Sequence, residues 1–383
     1  MRAVVVGGGI GGLGAAIGLH RAGWTVTVLE RAEEFGDVGA GISLWPNALR
    51  CLDELGVDLG EHLAAQDKGG LRDRRGRWVA RWDADGFRRR HGRPLAGIHR
   101  ADLIAGLLDA LPADLLRTGT EVTEVTENGV VRFAGGEIRA DLVVAADGIH
   151  SPIRRALFPH HPGPVYSGSS AFRGIARPAA IPGLSTTFAP GTEVGVLPLT
   201  GGDVYWFASS VTEPGARPAD LKAYLKEHFG DWHDPIPALI DATPPEALLY
   251  HDLHHLAAPL ETYVRGRVAF LGDAAHAMPP FLGQGGCQAL EDAVVLAHSV
   301  STVDDVDAAL AAYDAQRRPR SQRVARASVR AGKAGPQLTS PVLTALRMSL
   351  LRLVPTKLTA RAGASINGWR PPRLPRPVPP RTP

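Results

Sequence analysis

The chain has almost no cysteine: Cys51 and Cys287 are the only two in 383 residues. That rules out a disulfide framework or a cysteine-rich metal cluster and fits a reducing compartment. Long apolar runs are also missing, none reaching the roughly 18 residues that a membrane-spanning helix needs. The N-terminus reads as no signal peptide, because Ala3–Val6 passes straight into a glycine-rich turn without a cleavage region. A cytoplasmic location is expected. Excess charge of one sign is absent too, with 42 Lys and Arg against 39 Asp and Glu for a net charge of +3. The surplus arginine is local, in Arg72–Arg77, Arg88–Arg93 and the C-terminal tail. No recognition helix, aromatic-studded basic groove or zinc module accompanies it, so nucleic acid is not an expected partner.

What the chain has in quantity is glycine (44) and proline (31), within a globular composition of 44% hydrophobic and 21% charged residues. Its length supports two interleaved domains. Ala3–Val6 is an apolar run suited to a strand buried on both faces of a parallel sheet. A glycine-rich turn, a helix over Leu13–Ala22 and a strand over Thr25–Leu29 complete a βαβ unit. Helices are expected over Pro46–Leu55 and Arg100–Leu111, a β-pair over Glu121–Glu127 and Gly129–Phe133, and a buried strand over Asp141–Ala146. From Tyr166 to Tyr263 the pattern becomes short alternating strands between Gly/Pro turns, such as Glu193–Leu197 and Val204–Ser209, which suggests a sheet facing a pocket. Long helices follow over Gln288–Ser301 and Val306–Ala331, the second crossed by Pro319.

Three segments carry chemistry. In Gly7-Gly8-Gly9-Ile10-Gly11-Gly12, Gly7 permits a tight turn, Gly9 lets backbone approach a pyrophosphate and Gly12 lets helix pack on strand. Glu30, ending the second strand, can accept both ribose hydroxyls of an adenosine and would repel a 2′-phosphate. The second segment, Asp141–Arg155, delivers Asp147-Gly148 into a tight loop, and Arg154 or Arg155 could attract a dinucleotide phosphate. The third, Val268–Asp292, runs from a buried strand to Asp273, a rigid Pro279-Pro280 turn and a Gly283-Gln284-Gly285-Gly286 loop opening a helix. Asp273 can bond hydroxyls, and the helix start can face negative charge, worth about 0.3–1 kcal/mol and up to ~2 when partly buried. His276 reads as a structural hydrogen-bonder. Together the first and third segments favour FAD over NAD. Small residues in Val38–Leu49 would let backbone lie against a flat ligand, with Ser43 offering a hydroxyl, and Arg100 could neutralise a diphosphate.

These residues, with Ala146-Asp147-Gly148-x-x-Ser151, Tyr166–Gly174 and Tyr313–Ser321, resemble the single-component FAD-dependent aromatic hydroxylases. These are flavoprotein monooxygenases of the p-hydroxybenzoate, salicylate, 6-hydroxynicotinate and urate hydroxylase type. The resemblance spans about residues 1–330. It implies an α/β fold in which a Rossmann-like FAD-binding domain (1–75, 98–165 and 264–330) is interleaved with a β-sheet substrate domain (76–97 and 166–263), followed by a helical segment over 331–369. It also implies NADH or NADPH as co-substrate, with no Rossmann site of its own, and O₂ taken to a flavin C4a-hydroperoxide that hydroxylates an aromatic or heteroaromatic small molecule. The chain would be a monomer or homodimer.

Carried over by position, FAD contacts fall on Gly9, Gly11, Gly12, Glu30, Arg31, Ser43, Arg100, Val122 and Asp273, and on Pro280 and Gly283–Cys287. Within that last run lie Gly283, Gln284, Gly285, Gly286 and Cys287. Asp147 and Arg154 would serve NAD(P)H. The substrate sheet should present Tyr205, the best candidate to orient a phenolic oxygen, with Arg173, Glu193 and Phe281. Glu193 stands where the urate hydroxylases carry an arginine, and a carboxylate there counts against an anionic substrate such as urate.

Three alternatives are set beside this reading. A flavin-dependent epoxidase or other oxidative tailoring enzyme would act on a larger natural product. Its support is Ser340–Leu358, whose Val342, Leu343, Leu346, Leu350, Leu353 and Val354 line one helical face, with Arg347, Arg352 and Lys357 elsewhere. Packing of that face against the substrate domain is expected, ahead of covering a bulky apolar substrate or touching a membrane surface. A flavin-dependent halogenase is disfavoured because Trp78 and Trp82 lack its Trp-x-Trp-x-Ile-Pro spacing. A non-catalytic flavin-binding partner is the third. The Pro/Arg-rich stretch 370–383 is expected to be an extended, solvated tail.

Overall fold

The computed structural model describes residues 1–36, 40–178, 183–355 and 363–375. Val38, Lys357, Leu358 and tail residues 376–383 lie outside them. A six-stranded sheet runs in the order Val264–Arg265, Val268–Phe270, Leu142–Ala145, Arg2–Val6, Thr25–Leu29 and Leu116–Arg117. All neighbours are parallel except the first pair. The central strands are apolar and fully buried, as a parallel sheet covered on both faces requires.

The helix Ile10–Arg21 starts in the glycine turn, three residues earlier than the apolar pattern alone implies. Gly7 sits at φ +105°, and a Cβ on Gly12 would lie 1.9 Å from the Gly7 carbonyl oxygen, so this turn closes only with glycine. Gly11, Gly14 and Gly18 of that helix then face Ala289, Ala293 and Ala297 of the helix Gly285–Thr302. Both series rise together, so the two helices lie parallel with their N-termini side by side. The small residues allow a close approach that larger side chains would block.

The second sheet has seven strands, in the order Leu249–Leu256, Pro164–Ala176, Val204–Val211, Thr192–Pro198, Leu184–Ala189, Gly69–Asp73 and Trp78–Arg81. It thus takes a strand from before residue 75, where the first cofactor-domain segment was expected to end. Alternation gives it two distinct faces. Phe172, Val194, Val196, Val204, Trp206 and Ala208 are buried on the back. Helices Leu221–Phe229 and Ile236–Ala242 cover that face. These helices fall in a stretch expected to hold only short strands. Leu225 and Phe229 at i, i+4 and an Asp220 cap accepting from the Ala223 N–H at 2.9 Å explain the first. Registers Arg173 with Phe207, Leu197 with Tyr205 and Glu193 with Ser209 put Arg173, Glu193 and Tyr205 together on the front.

Two expectations for the C-terminal region need correction. The helix Pro341–Leu353 forms, but it buries Thr344 and Met348 and leaves Val342, Leu343, Leu346, Leu350 and Leu353 exposed. The apolar face therefore does not pack on the substrate sheet. The start of the tail is no solvated chain either. Trp369 and Leu374 pack against the main core, His298 Nδ1 donates to the Arg373 carbonyl at 3.0 Å, and the Leu374 N–H reaches Glu54 at 3.1 Å.

The parallel helix pair generates a prediction. Gly18→Leu, whose Cβ would lie 2.6 Å from that of Ala297, should destabilise the fold by about 1–3 kcal/mol. Thermal unfolding of the variant checks it.

Candidate active site

The cleft between the two layers is built from helix ends. Neither the helix Ile10–Arg21 nor Gly285–Thr302 has a side-chain cap at its N-terminus, and neither has an acid in its first turn. A Cβ at Gly9 or at Gly285 would meet nothing within 4 Å. Two adjacent, uncapped helix starts therefore open onto empty space and present N–H groups and positive dipole ends to it, a cradle for a diphosphate. Glu30 closes one end. Its oxygens accept the Gly8 N–H at 2.6 Å and the Ala32 N–H at 2.9 Å, and each retains a lone pair for a hydroxyl. Arg31 is exposed beside it, and Val122 starts a strand packed on the main core. Gly11 and Gly12 spend their missing side chains on packing, so Gly9 alone of the three has an open Cβ position.

At the other end, the side chain of Asp273 is exposed to solvent yet so surrounded by protein that burial pushes its carboxyl up, with His276, Arg100 and Arg154 opposing. Exposure inside a ring of protein is the mark of a cleft floor. Burial lowers the Arg100 guanidinium, which senses Asp273, Arg173 and Tyr205. Tyr205 is 9% exposed. Burial raises its phenol while Arg173 and Arg100 hold it back. Its ring lies on Gly41, where a Cβ would come within 2.4 Å. Asp273, Arg100, Arg173 and Tyr205, predicted from four separate segments, thus share one electrostatic neighbourhood.

The loop beneath this cluster is pinned from behind. Gly283 sits at φ +60°, and its Cβ would be 2.9 Å from Ser43 Oγ and 3.1 Å from Trp45 Nε1, which is buried without a hydrogen-bond partner among the described residues. Cys287 Sγ is a weak donor to the Ser43 and Gly283 carbonyls, and burial pushes its thiol up to about 12. Gln284 differs from expectation. Its side chain turns inward, accepting from Asn47 at 3.0 Å and donating to Asn367 at 3.2 Å, so only its backbone is left to face a ligand.

Further in lies a buried ionic network that sequence reasoning did not assign. Arg317 donates to Asp292 at 2.7 Å, Glu291 at 2.6 Å and Gln288 Oε1 at 3.0 Å. Asp292 in turn accepts the Gly272 N–H at 2.9 Å and His276 Nε2 at 2.5 Å. Burial would push Asp292 up, but His276 and Arg317 outweigh it and hold it below the usual carboxylate range. His276 is thus the structural hydrogen-bonder expected. The signal for Arg317 and Arg320 was the Tyr313–Ser321 run, matched as a motif without a role; three residues apart, both arginines reach Glu291.

A further expectation changes at Arg154. Arg154 is 1% exposed and donates to the Ala274 and Ile149 carbonyls, so it braces the loop and is not available to attract a phosphate. Asp147 accepts the Ile153 N–H at 3.2 Å. Phe281 sits on Gly332 of the helix Val306–Ala334 and, with Pro279, borders a small pocket lined by Ser167, His255, Val329, Lys333 and Gln337. Pro280 is exposed. Glu193 is 6% exposed and accepts from Ser209 Oγ at 3.2 Å. Burial raises its carboxyl to about 7, with Arg347 opposing.

Open glycines at two helix starts, an accessible acid ringed by protein and a glycine loop beside an orphaned indole N–H all fit a dinucleotide carrying a flat ring. The comparisons with known proteins agree. Residues 1–328 match the FAD binding domain family. The chain is 37% identical over 361 residues to the Aurachin C monooxygenase/isomerase of Stigmatella aurantiaca, covering 92% of this chain and 94% of that protein. It is 36% identical over 330 residues to the FAD-dependent urate hydroxylase of Klebsiella pneumoniae, covering 83% and 86%. The crystal structure of Klebsiella pneumoniae HpxO complexed with FAD and uric acid superposes with a TM-score of 0.89 at 32% identity, covering 96% of each chain. The chain belongs to the FAD binding domain family and, within it, to the FAD-dependent aromatic hydroxylases. It is an FAD-dependent monooxygenase with the interleaved α/β fold of that group.

The buried groups generate three predictions. Arg317→Met strips Asp292 of its guanidinium and leaves Glu291 with Arg320 alone, and should cost about 3–5 kcal/mol in urea unfolding. Because the folded pKa of Asp292 is depressed, its contribution is full above an unfolded value of about 3.9 and is lost as pH falls through the lower folded value. Asp292→Asn should therefore flatten the acid limb of stability. Glu193 has the opposite sign. Its raised folded pKa makes ionisation costly, the cost growing as pH rises from about 4.3 toward the folded value of about 7. Glu193→Gln should match the native chain near the lower pH and be the more stable above the higher, read from melting temperatures across pH.

Proposed function

We propose that the protein is an NAD(P)H-consuming monooxygenase that hydroxylates an aromatic or heteroaromatic small molecule. The observation that carries this reading is the convergence of Tyr205 and Arg173, from the front of the seven-stranded sheet, with Asp273 and Arg100 at the floor of the cofactor cleft. FAD, once bound and reduced, supplies the activation of O₂ and the transfer of one oxygen atom to the ring.

The chain's own residues hold and orient. Glu30 takes the adenosine ribose hydroxyls, with Arg31 and Val122 at the edge of that site. The start of the helix at Gly9 and the Arg100 guanidinium take the diphosphate. Asp273 bonds the ribityl chain. Ser43 and the backbone of Gly283–Cys287 would hold the flavin ring, and the second helix start would favour negative charge on it. Pro279–Leu282 walls the substrate side. Tyr205 bonds the phenolic or equivalent oxygen of the substrate and holds its proton, and Arg173 favours the oxyanion. Glu193, close to half protonated near neutral pH, favours a neutral ring or one with a hydrogen-bond donor over an anion such as urate. NADH or NADPH would serve as the flavin's reductant without a Rossmann site of its own, since the sequence holds no second glycine fingerprint, and Asp147 is the residue offered to it.

A second reading, oxidation of a larger natural product, is favoured by the identity to the Stigmatella monooxygenase/isomerase. A substrate panel separates the two. Purified protein should take up FAD and turn yellow, and an accepted small aromatic should accelerate NADH or NADPH oxidation and gain one atom from ¹⁸O₂. Failure to take up flavin sinks both readings. Peroxide release without product from every simple phenol and pyridine favours the larger substrate. Tyr205→Phe should keep FAD and lose about 10- to 100-fold in kcat/KM, the worth of a hydrogen bond to a charged group.

A further inference from the structure

The helix Pro341–Leu353 is amphipathic in the wrong sense for a solvated helix. Val342 is 77%, Leu346 54%, Leu350 56% and Leu353 78% exposed. Their spacing of four, four and three residues, with Leu343 beside them, makes one continuous stripe. The inward side holds Thr344 and Met348, both buried, and Arg347, whose guanidinium lies 4.6 Å from the Phe188 ring. The helix contains no acid.

Exposed arginines outnumber acids along the edge beside the stripe, where Asp73 pairs with Arg77 and Arg352. The helix packs on the edge strand Trp78–Arg81, and Arg352 reaches across to Asp73 at 2.6 Å while staying 35% exposed. Arg75, Arg77 and Arg81 are exposed along that edge. Residues 66–93 hold ten Lys and Arg against four Asp, in a chain whose whole net charge is +3. An apolar stripe of leucines beside a row of arginines has the makeup of a helix that lies in the plane of a bilayer interface. None of the described helices is long and apolar enough to cross a membrane, so the contact is with the surface. A second copy of the chain fits this face less well, because two-fold pairing would bring the arginine edges together. One 13-residue helix also offers much less than the roughly 20–30 residues a side of a stable interface.

We propose that this helix and the adjoining arginine edge dock the protein on an anionic lipid surface. The apolar residues enter the headgroup boundary and the arginines meet lipid phosphates. The proposal does not depend on the substrate reading above.

The test is flotation of the full FAD-loaded chain with vesicles of phosphatidylcholine mixed with phosphatidylglycerol, and with vesicles of phosphatidylcholine alone. The native chain should float with the mixed vesicles and not with the neutral ones, and high salt should weaken the binding. Leu346→Gln/Leu350→Gln and, independently, Arg75→Glu/Arg81→Glu should each weaken it by about tenfold or more. Melting temperature and FAD binding of the variants should stay at native values. Failure of the native chain to float overturns the proposal, as does undiminished binding by both variants. A solution dimer that the leucine variant dissociates, with no vesicle binding, assigns the stripe to a second copy instead.

Discussion

One fully buried arginine holds the cofactor side of this molecule together. Arg317 pairs with Glu291 and Asp292 at once and, with Arg320 also on Glu291, lets two adjacent carboxylates stay ionised in a dry interior. Because Asp292 then accepts from Gly272 and His276, the turn that carries Asp273 is tied to the helix that begins at Gly285. Asn47 and Gln288 extend the same network to the helix Pro46–Leu55 and to Gln284. The loops that face the cleft are rich in glycine and small residues. Their positions are set by this rigid, fully bonded polar core behind them.

The front of the second sheet depends on that fixation. Arg100 senses an acid of one layer and an arginine of the other, so its field links the cofactor floor to Tyr205 and Arg173. Tyr205 reaches the junction because Gly41 has no side chain to keep it away. The back of the same sheet is closed by an ordinary apolar core under two short helices, which stiffens the platform without touching the chemistry.

Much of this was legible in the chain. The glycine turn, Glu30 and the Asp273 loop announce themselves because dinucleotide binding needs small residues and an acid at fixed steps along a βαβ unit. The apolar strands and the long helices declared their periodicity in the same way. What the sequence hid is what depends on tertiary partners. Arg154 looks like a surface cation until the Ala274 carbonyl is seen to take it. Gln284 looks like a ligand residue until Asn47 and Asn367 turn it inward. The leucines of Pro341–Leu353 have the spacing of a core face, and periodicity alone does not say on which side of a helix the protein lies. Helix Leu221–Phe229 was lost among the Gly/Pro turns of the sheet around it.

The family match ends at residue 328, yet Ala364–Leu374 lies across the back of the site. Arg320 bonds the Ile366 carbonyl, Arg50 bonds the Asn367 and Trp369 carbonyls, and Asn367 meets Gln284. The flavin loop is thus backed by chain that the family signature does not include. A fragment cut back to the matched region would keep the glycine turn and Glu30, yet lose the partner that holds the Gln284 side chain inward.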